Sequence, residues 1–340
     1  MKIIVDAMGG DNAPQAMVEG GIMAAQEFGL DVILVGRVAE ILSCIAQLGH
    51  GDLPKGIAVA DATEVVTMED DPANVIREKK ESSLSVGLRM LRDGEGDAFV
   101  SAGNTGALLS GATLIPKRIK GIRRAALAPV IPNRETGALV IDCGANAECT
   151  PEYLLQFAYM GAYYAKNVMK QSNPRVGLLN NGSEPGKGTE LQRETYALLE
   201  TARESGKLNF IGNVEGREVM LGGVDVVVTD GFTGNILLKT VEGTAMCLMG
   251  ELKDALTKSP KTKLGALLVK SGLRGLKKKL DHAEVGGTVL LGISKPVIKA
   301  HGNSTAYAVR SAIRQARDIT ASGIIQDIQD NIDEIKLEKE

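Results

Sequence analysis

Val224-Asp-Val-Val-Val-Thr-Asp-Gly-Phe-Thr-Gly-Asn-Ile-Leu-Leu-Lys239 is the stretch that decides the fold class. Val226 to Val228 is apolar on successive positions, as in a strand covered on both faces. Thr229 to Asn235 is a glycine-rich turn, and the residues after it read as a helix carrying Lys239. The same grammar recurs along the chain. Lys2–Val5, Val32–Val35, Ile57–Val59, Ala98–Val100, Ala138–Ile141, Val176–Leu179 and Phe210–Ile211 read as further strands. Pro14–Phe28, Ser82–Arg92, Pro151–Met169 and Glu190–Ser205 read as helices between them. Strand then helix, repeated, predicts a doubly wound α/β fold with a mainly parallel sheet.

Composition narrows the function. The chain has 340 residues, 44% hydrophobic and 24% charged, which excludes wholesale disorder. With a net charge of −3, no tryptophan, six Tyr and five Phe, it has neither the basic field nor the stacking platforms of a nucleic-acid binder. Cys44, Cys143, Cys149 and Cys247 form no CxxC pair, and His50, His282 and His301 lack metal-ligand spacing, so no metal is expected. The uncharged run from Ala98 to Pro116 contains Asn104, Thr105 and glycines, and reads as a buried strand-turn-helix rather than a membrane span. The opening Met-Lys-Ile-Ile-Val-Asp leads straight into a strand, so a cytoplasmic location is expected.

One segment breaks the pattern. Glu251–Asp281 holds nine Lys/Arg against three acids, with leucines at largely helical spacing, and Pro260 divides it. It predicts a basic, amphipathic helical hairpin in which Leu264, Leu267, Leu268, Arg274, Lys277 and Lys278 face a partner subunit, an anionic membrane or an acidic protein.

In open α/β sheets, ligands bind beyond the carboxyl ends of the strands. Four polar, glycine-containing turns occupy such places: Asp6–Asp11, Ser101–Gly106, Asp142–Asn146 and Thr229–Asn235. Gly186-Lys187 is no P-loop, because Asn181 and Gly188 stand where that motif needs Gly and Ser/Thr. No strand is followed by G-x-G-x-x-G, and no G-x-S-x-G elbow is present. What remains is a set of amides and cations on loops: Lys187, Asn235, Lys239, Lys295, Lys299 and His301.

These motifs, in order, with Ala13-Pro14, Lys187-Gly188, Asn209–Glu215, Val226–Lys239 and Lys295–Gly302, resemble bacterial acyl-carrier-protein:phosphate acyltransferases from residue 1 to about 318. The chain departs from that pattern at Asn12, Cys143 and Val285, which counts against chemistry by those side chains. The resemblance implies a three-layer α/β/α fold akin to isopropylmalate dehydrogenase and phosphotransacetylase, forming one domain over residues 1–318 with a charged helix or tail over 319–340. It also implies a homodimer without metal or cofactor, associated peripherally with the membrane. The activity it implies is transfer of a fatty acyl group from acyl carrier protein to inorganic phosphate. The acyl phosphate would pass to a membrane glycerol-3-phosphate acyltransferase.

Phosphate is already a partial dianion and a pantetheine thiol leaves readily, so such a site needs donors and positive charge rather than a triad. Lys187, Asn235 and His301 are then expected at the reacting groups. Asn104, Thr105, Gly106 and the Thr233 and Gly234 amides are expected to cradle the anion, with Lys239 and Lys299 nearby. The competing readings are a short-chain phosphate acyltransferase using acyl-CoA, a decarboxylating dehydrogenase of similar architecture, and a non-catalytic membrane scaffold.

Overall fold

The computed structural model describes residues 1–280 and 286–335, the side chains of 277–280 excepted. Its first part runs β1 (Lys2–Asp6), α1 (Gln15–Phe28), β2 (Asp31–Gly36), α2 (Val38–Gln47), β3 (Ile57–Asp61), α3 (Val75–Glu78), α4 (Ser83–Asp93), β4 (Ala98–Ser101) and α5 (Thr105–Ala112). Then follow β5 (Ala126–Ala128), β6 (Val130–Ile131), β7 (Ala138–Ile141), α6 (Pro151–Asn167), β8 (Val176–Leu179), α7 (Glu190–Glu204), β9 (Phe210–Val214), α8 (Gly216–Leu221) and β10 (Val226–Val228). The chain closes with α9 (Gly231–Thr257), α10 (Pro260–Leu268), α11 (Lys270–Leu280), β11 (Thr288–Leu291), β12 (Val297–Lys299), α12 (Ala306–Ser322), α13 (Ile324–Asp330) and α14 (Ile332–Ile335).

The strands divide between two sheets: seven in the order β3-β2-β1-β4-β12-β11-β5, and five in the order β6-β7-β10-β8-β9. Most pairs are parallel; β11 runs antiparallel to both β12 and β5, and β6 antiparallel to β7. Helices cover both faces. On one face Met17 and Val18 of α1, Phe157 of α6, Leu199 of α7 and Ile313 of α12 form a core continuous across both sheets. On the other, Leu88 and Leu108 of α4 and α5 cover the first sheet, while Val219 of α8 and Leu237 and Val241 of α9 cover the second. Ile3, Ile4 and Val5 are all fully buried, which explains their unbroken apolar run. Each such side chain contributes about 1.5–3 kcal/mol on burial.

The pairing also sets which way the sheets point. β12 is parallel to β4 and antiparallel to β11, and β11 is antiparallel to β5, so β5 runs with β1 to β4. β5 passes through Pro129 into β6, to which β7 is antiparallel, and β10, β8 and β9 are parallel to β7. Pro129 has no N–H for either ladder, while its carbonyl accepts the Val140 amide. The carboxyl ends of the two parallel sets therefore point toward one another and meet along the shared segment 126–131.

The basic segment is helical and exposed. Ser259 caps α10 and Pro260 occupies its first turn, as the proline predicts, but the chain also breaks at Val269, giving a further helix. Leu264, Leu267 and Leu268 are 63, 65 and 80% exposed, and Arg274 is exposed. The side chains of Lys277 and Lys278, together with Asp281 and Val285, lie outside the described residues. No helix among the described residues is long and apolar enough to cross a membrane.

A domain boundary at residue 318 is not what the fold shows. α12 runs through that position, and Ile319, Ile324, Ile328 and Ile335 are buried in the main core. The isoleucines of this segment form an apolar stripe that outweighs its charge count. Residues 336–340 lie outside the described residues.

Candidate active site

Three loops interlock at the first sheet's carboxyl edge. Buried Asp6 accepts the Met8 amide at 3.2 Å and Ser101 Oγ at 2.7 Å. Burial raises its carboxyl above the usual range, against hydrogen bonds from Ser83 and Ser101. The Asp11 amide donates to Gly302 O at 2.8 Å, and Asn12 Nδ2 donates to the carbonyls of Asn303 and Ser304. Lys299, ending β12, donates its ammonium to the carbonyls of Ala102 and Ala300. Burial lowers it to about 8; Asp6 and Asp11 act against that shift and Lys239 adds to it.

Asn104 has a different job from the one its position suggests. Its Oδ1 accepts the Ala107 amide at 3.1 Å, capping α5, and its Nδ2 donates to the Thr67 and Met68 carbonyls at 3.3 Å. Its side-chain amide is engaged within the protein, holding the loop before α3 over the start of α5. Gly106 sits beneath that loop, where a Cβ would come 2.7 Å from Pro72 Cγ. Thr105 is exposed, at the open first turn of α5.

At the second sheet's edge, Asp142 opens the turn after β7, with Oδ1 accepting the amides of Leu127 and Ala145, and Oδ2 accepting the amide and side chain of Asn146. Burial raises its carboxyl too. α9 starts hard against this turn: a Cβ on Gly231 would lie 2.6 Å from Asn146 O, and one on Gly234 would collide with Asp142 O. The Thr233 and Gly234 amides do not form an anion cradle. Asp230 Oδ1 accepts the Thr233 amide and its Oδ2 the Thr233 hydroxyl, each at 2.8 Å, and Gly234 N donates to Asp230 O at 3.0 Å. Helix capping and anion binding compete for the same donors, and here capping holds them.

Asn235 is exposed and lies over Gly144, its Oδ1 3.9 Å from where a Cβ there would stand. Lys187 is exposed on the loop after β8, which neighbours β10. That loop is pinned by Asn180 Nδ2 donating to Lys187 O at 3.1 Å and Asn213 Nδ2 to Glu184 O at 2.8 Å. Among the described residues, no hydrogen bond or ion pair joins Lys187 to Asn235 or to the Asn104 turn. Topology puts Lys187 and Asn235 on loops at the second sheet's edge and the Asn104 turn at the first sheet's edge.

The two edges do meet at α9. His301, from the first sheet, lines a narrow pocket with Pro129, Leu238, Val241 and Glu242. Lys239 pairs with Glu242 Oε2 at 2.7 Å, while Glu242 Oε1 is buried without a hydrogen-bond partner among the described residues. Glu242 went unremarked in the sequence, while Asn213, whose buried Oδ1 is likewise unpartnered among the described residues, entered only as part of the Asn209–Glu215 motif. Glu242's only signal there is its position one helical turn after Lys239. Burial pushes the Cys143 thiol well up and Cys149 up to about 12, so neither offers a thiolate at neutral pH.

The chain matches the family model described as fatty acid synthesis protein over residues 1–327. It is 46% identical over 333 residues to a phosphate acyltransferase of Thermoanaerobacterium thermosaccharolyticum, covering 98% of this chain and 97% of that one. It is 49% identical over 327 residues to a phosphate acyltransferase of Streptococcus pneumoniae, covering 95% and 96%. The fold is similar to that of a phosphotransacetylase from Streptococcus pyogenes, with a TM-score of 0.61 at 19% identity over 96% of this chain and 94% of that one. Kinship of that degree over nearly its whole length makes this chain an acyltransferase that belongs to the phosphate acyltransferases, a family of fatty acid synthesis proteins.

Proposed function

We propose that the enzyme moves a long-chain fatty acyl group from acyl carrier protein to inorganic phosphate. The released acyl phosphate then serves a membrane glycerol-3-phosphate acyltransferase in phospholipid synthesis. The observation that carries the site assignment is the convergence of Lys299, His301 and Lys239 from two opposed sheet edges. Lys299 feels the charge of Lys239, and a phosphate dianion entering between them would compete with Glu242 for Lys239, with no strong base needed to generate the nucleophile. A phosphate oxygen attacks the thioester carbon, forming a C–O bond and a tetrahedral oxyanion. Collapse breaks the C–S bond, and the thiolate leaves and is protonated by water. Lys187 and Asn235, both exposed, are assigned to the reacting carbonyl and phosphate. Asp6, Asp142 and Asn104 order the loops. The protein acts as a homodimer bound peripherally to membrane through the leucines of α10.

The test mixes long-chain acyl carrier protein, phosphate and enzyme without metal or nucleotide, and traps acyl phosphate with hydroxylamine. Lys187→Ala and Asn235→Ala are each expected to lower kcat at least ~10²-fold with an unchanged melting curve. Activity confined to short-chain acyl-CoA would favour the rival acyl donor. No acyl phosphate from any thioester would leave the scaffold reading.

A further inference from the structure

The segment Pro116-Lys-Arg-Ile-Lys-Gly-Ile-Arg-Arg124 places five cations, and no acid, between α5 and β5. Lys117, Arg118, Lys120, Arg123 and Arg124 are all exposed, and among the described residues none is in an ion pair. Glu152 feels Arg123 and Cys149 feels Arg124, while Arg124 lies over the Tyr153 ring at 5.4 Å. Ile119 and Ile122 turn inward and are 3% and 5% exposed.

The backbone of this strap is fixed from both sides. Ser294 Oγ and N donate to the carbonyls of Pro116 and Lys117, and Ile119 N donates to Gly292 O. Gln156, fully buried on α6, accepts the Arg123 amide at 2.8 Å and donates to Gly121 O at 2.9 Å. A rigid main chain with unpaired cations outward is a surface prepared for an anionic partner, since little ordering is left to binding.

We infer that this strap docks the acidic protein that carries the acyl thioester, an inference that rests on the donor assigned above. Position selects the occupant. Arg124 is one residue from Ala125, whose carbonyl accepts Asn146 Nδ2 at 2.8 Å, and Asn146 holds Asp142 in the turn that Asn235 overlies. A carrier seated on the strap therefore stands beside the second sheet's rim, where its acyl arm must enter. A bilayer fits less well. The strap hides its isoleucines, whereas the exposed leucines suited to lipid lie on α10.

The test is the triple variant Arg118→Glu, Lys120→Glu and Arg123→Glu, whose side chains make no hydrogen bond that holds the strap. At low ionic strength its KM for long-chain acyl carrier protein is expected to rise at least ~10-fold, with kcat and turnover of acyl pantetheine within roughly twofold of wild type. Added salt should raise the wild-type KM toward the variant's. An unchanged KM for the carrier overturns the docking assignment. So does an equal loss with acyl pantetheine, which would place the effect in the cleft. So does lost sedimentation with phosphatidylglycerol vesicles at an unchanged carrier KM. Wild-type enzyme that turns over acyl pantetheine but not acyl carrier protein overturns the donor assignment itself, and the strap with it.

Discussion

Lys299 is the residue whose charge the fold governs most directly. Burial brings its ammonium down to about 8, so it is cationic below that pH and neutral above it. If it holds phosphate, KM for phosphate rises as pH climbs from about 7 to about 9, although phosphate itself is more anionic there. Lys299→Arg keeps its charge over the range and should flatten that rise, while Lys299→Met should raise KM at every pH. Steady-state assays across pH decide it; a Met variant with wild-type KM at neutral pH removes Lys299 from the phosphate site. At this scale the sequence was informative about residue type and misleading about availability. Asn104, Thr233 and Gly234 have the composition of an anion site because N-caps and anion sites use the same small polar residues. In the fold Asn104 caps α5, and Asp230 takes the Thr233 and Gly234 donors.

Among elements, α10 leaves Leu264, Leu267 and Leu268 in water. Removing a leucine side chain from water contributes about 1.5–3 kcal/mol, so three exposed on α10 suffice for reversible adsorption. Replacing Leu264, Leu267 and Leu268 with Glu should abolish flotation with anionic liposomes while soluble activity stays within roughly twofold. Flotation that survives the change would acquit the hairpin. Pro260 made the first break in this segment readable, because proline both ends one helix and opens the next. The second break at Val269 carries no Gly or Pro signal there. Four strands, β5, β6, β11 and β12, also escape the sequence reading. They have two to four residues each.

For the whole molecule, α9 raises the question of a second copy. Phe232, Ile236, Met246 and Leu248 are 65, 52, 73 and 63% exposed along it, an apolar surface that a lone chain leaves in water. Light scattering is expected to give twice the chain mass of 35.9 kDa, and Met246→Glu with Leu248→Glu to halve it at micromolar concentration. A monomeric wild type would end the dimer assignment. The proposed site belongs to this scale too: its assigned donors and cations come from both sheet edges, and the strap lies between α5 and β5 where the two sheets join.

Strand-turn-helix alternation, the candidate loops and the family were all legible from order and composition, because local patterns of apolar and glycine residues dictate local structure. The division into two sheets was not. It follows from a short segment, 126–131, in which Pro129 interrupts one ladder and an antiparallel partner begins another. Which polar atoms remain free was equally invisible, since that depends on neighbours brought from far along the chain, as when Asn12 meets Ser304. Sequence names the groups that can bind; only packing decides which of them are already taken.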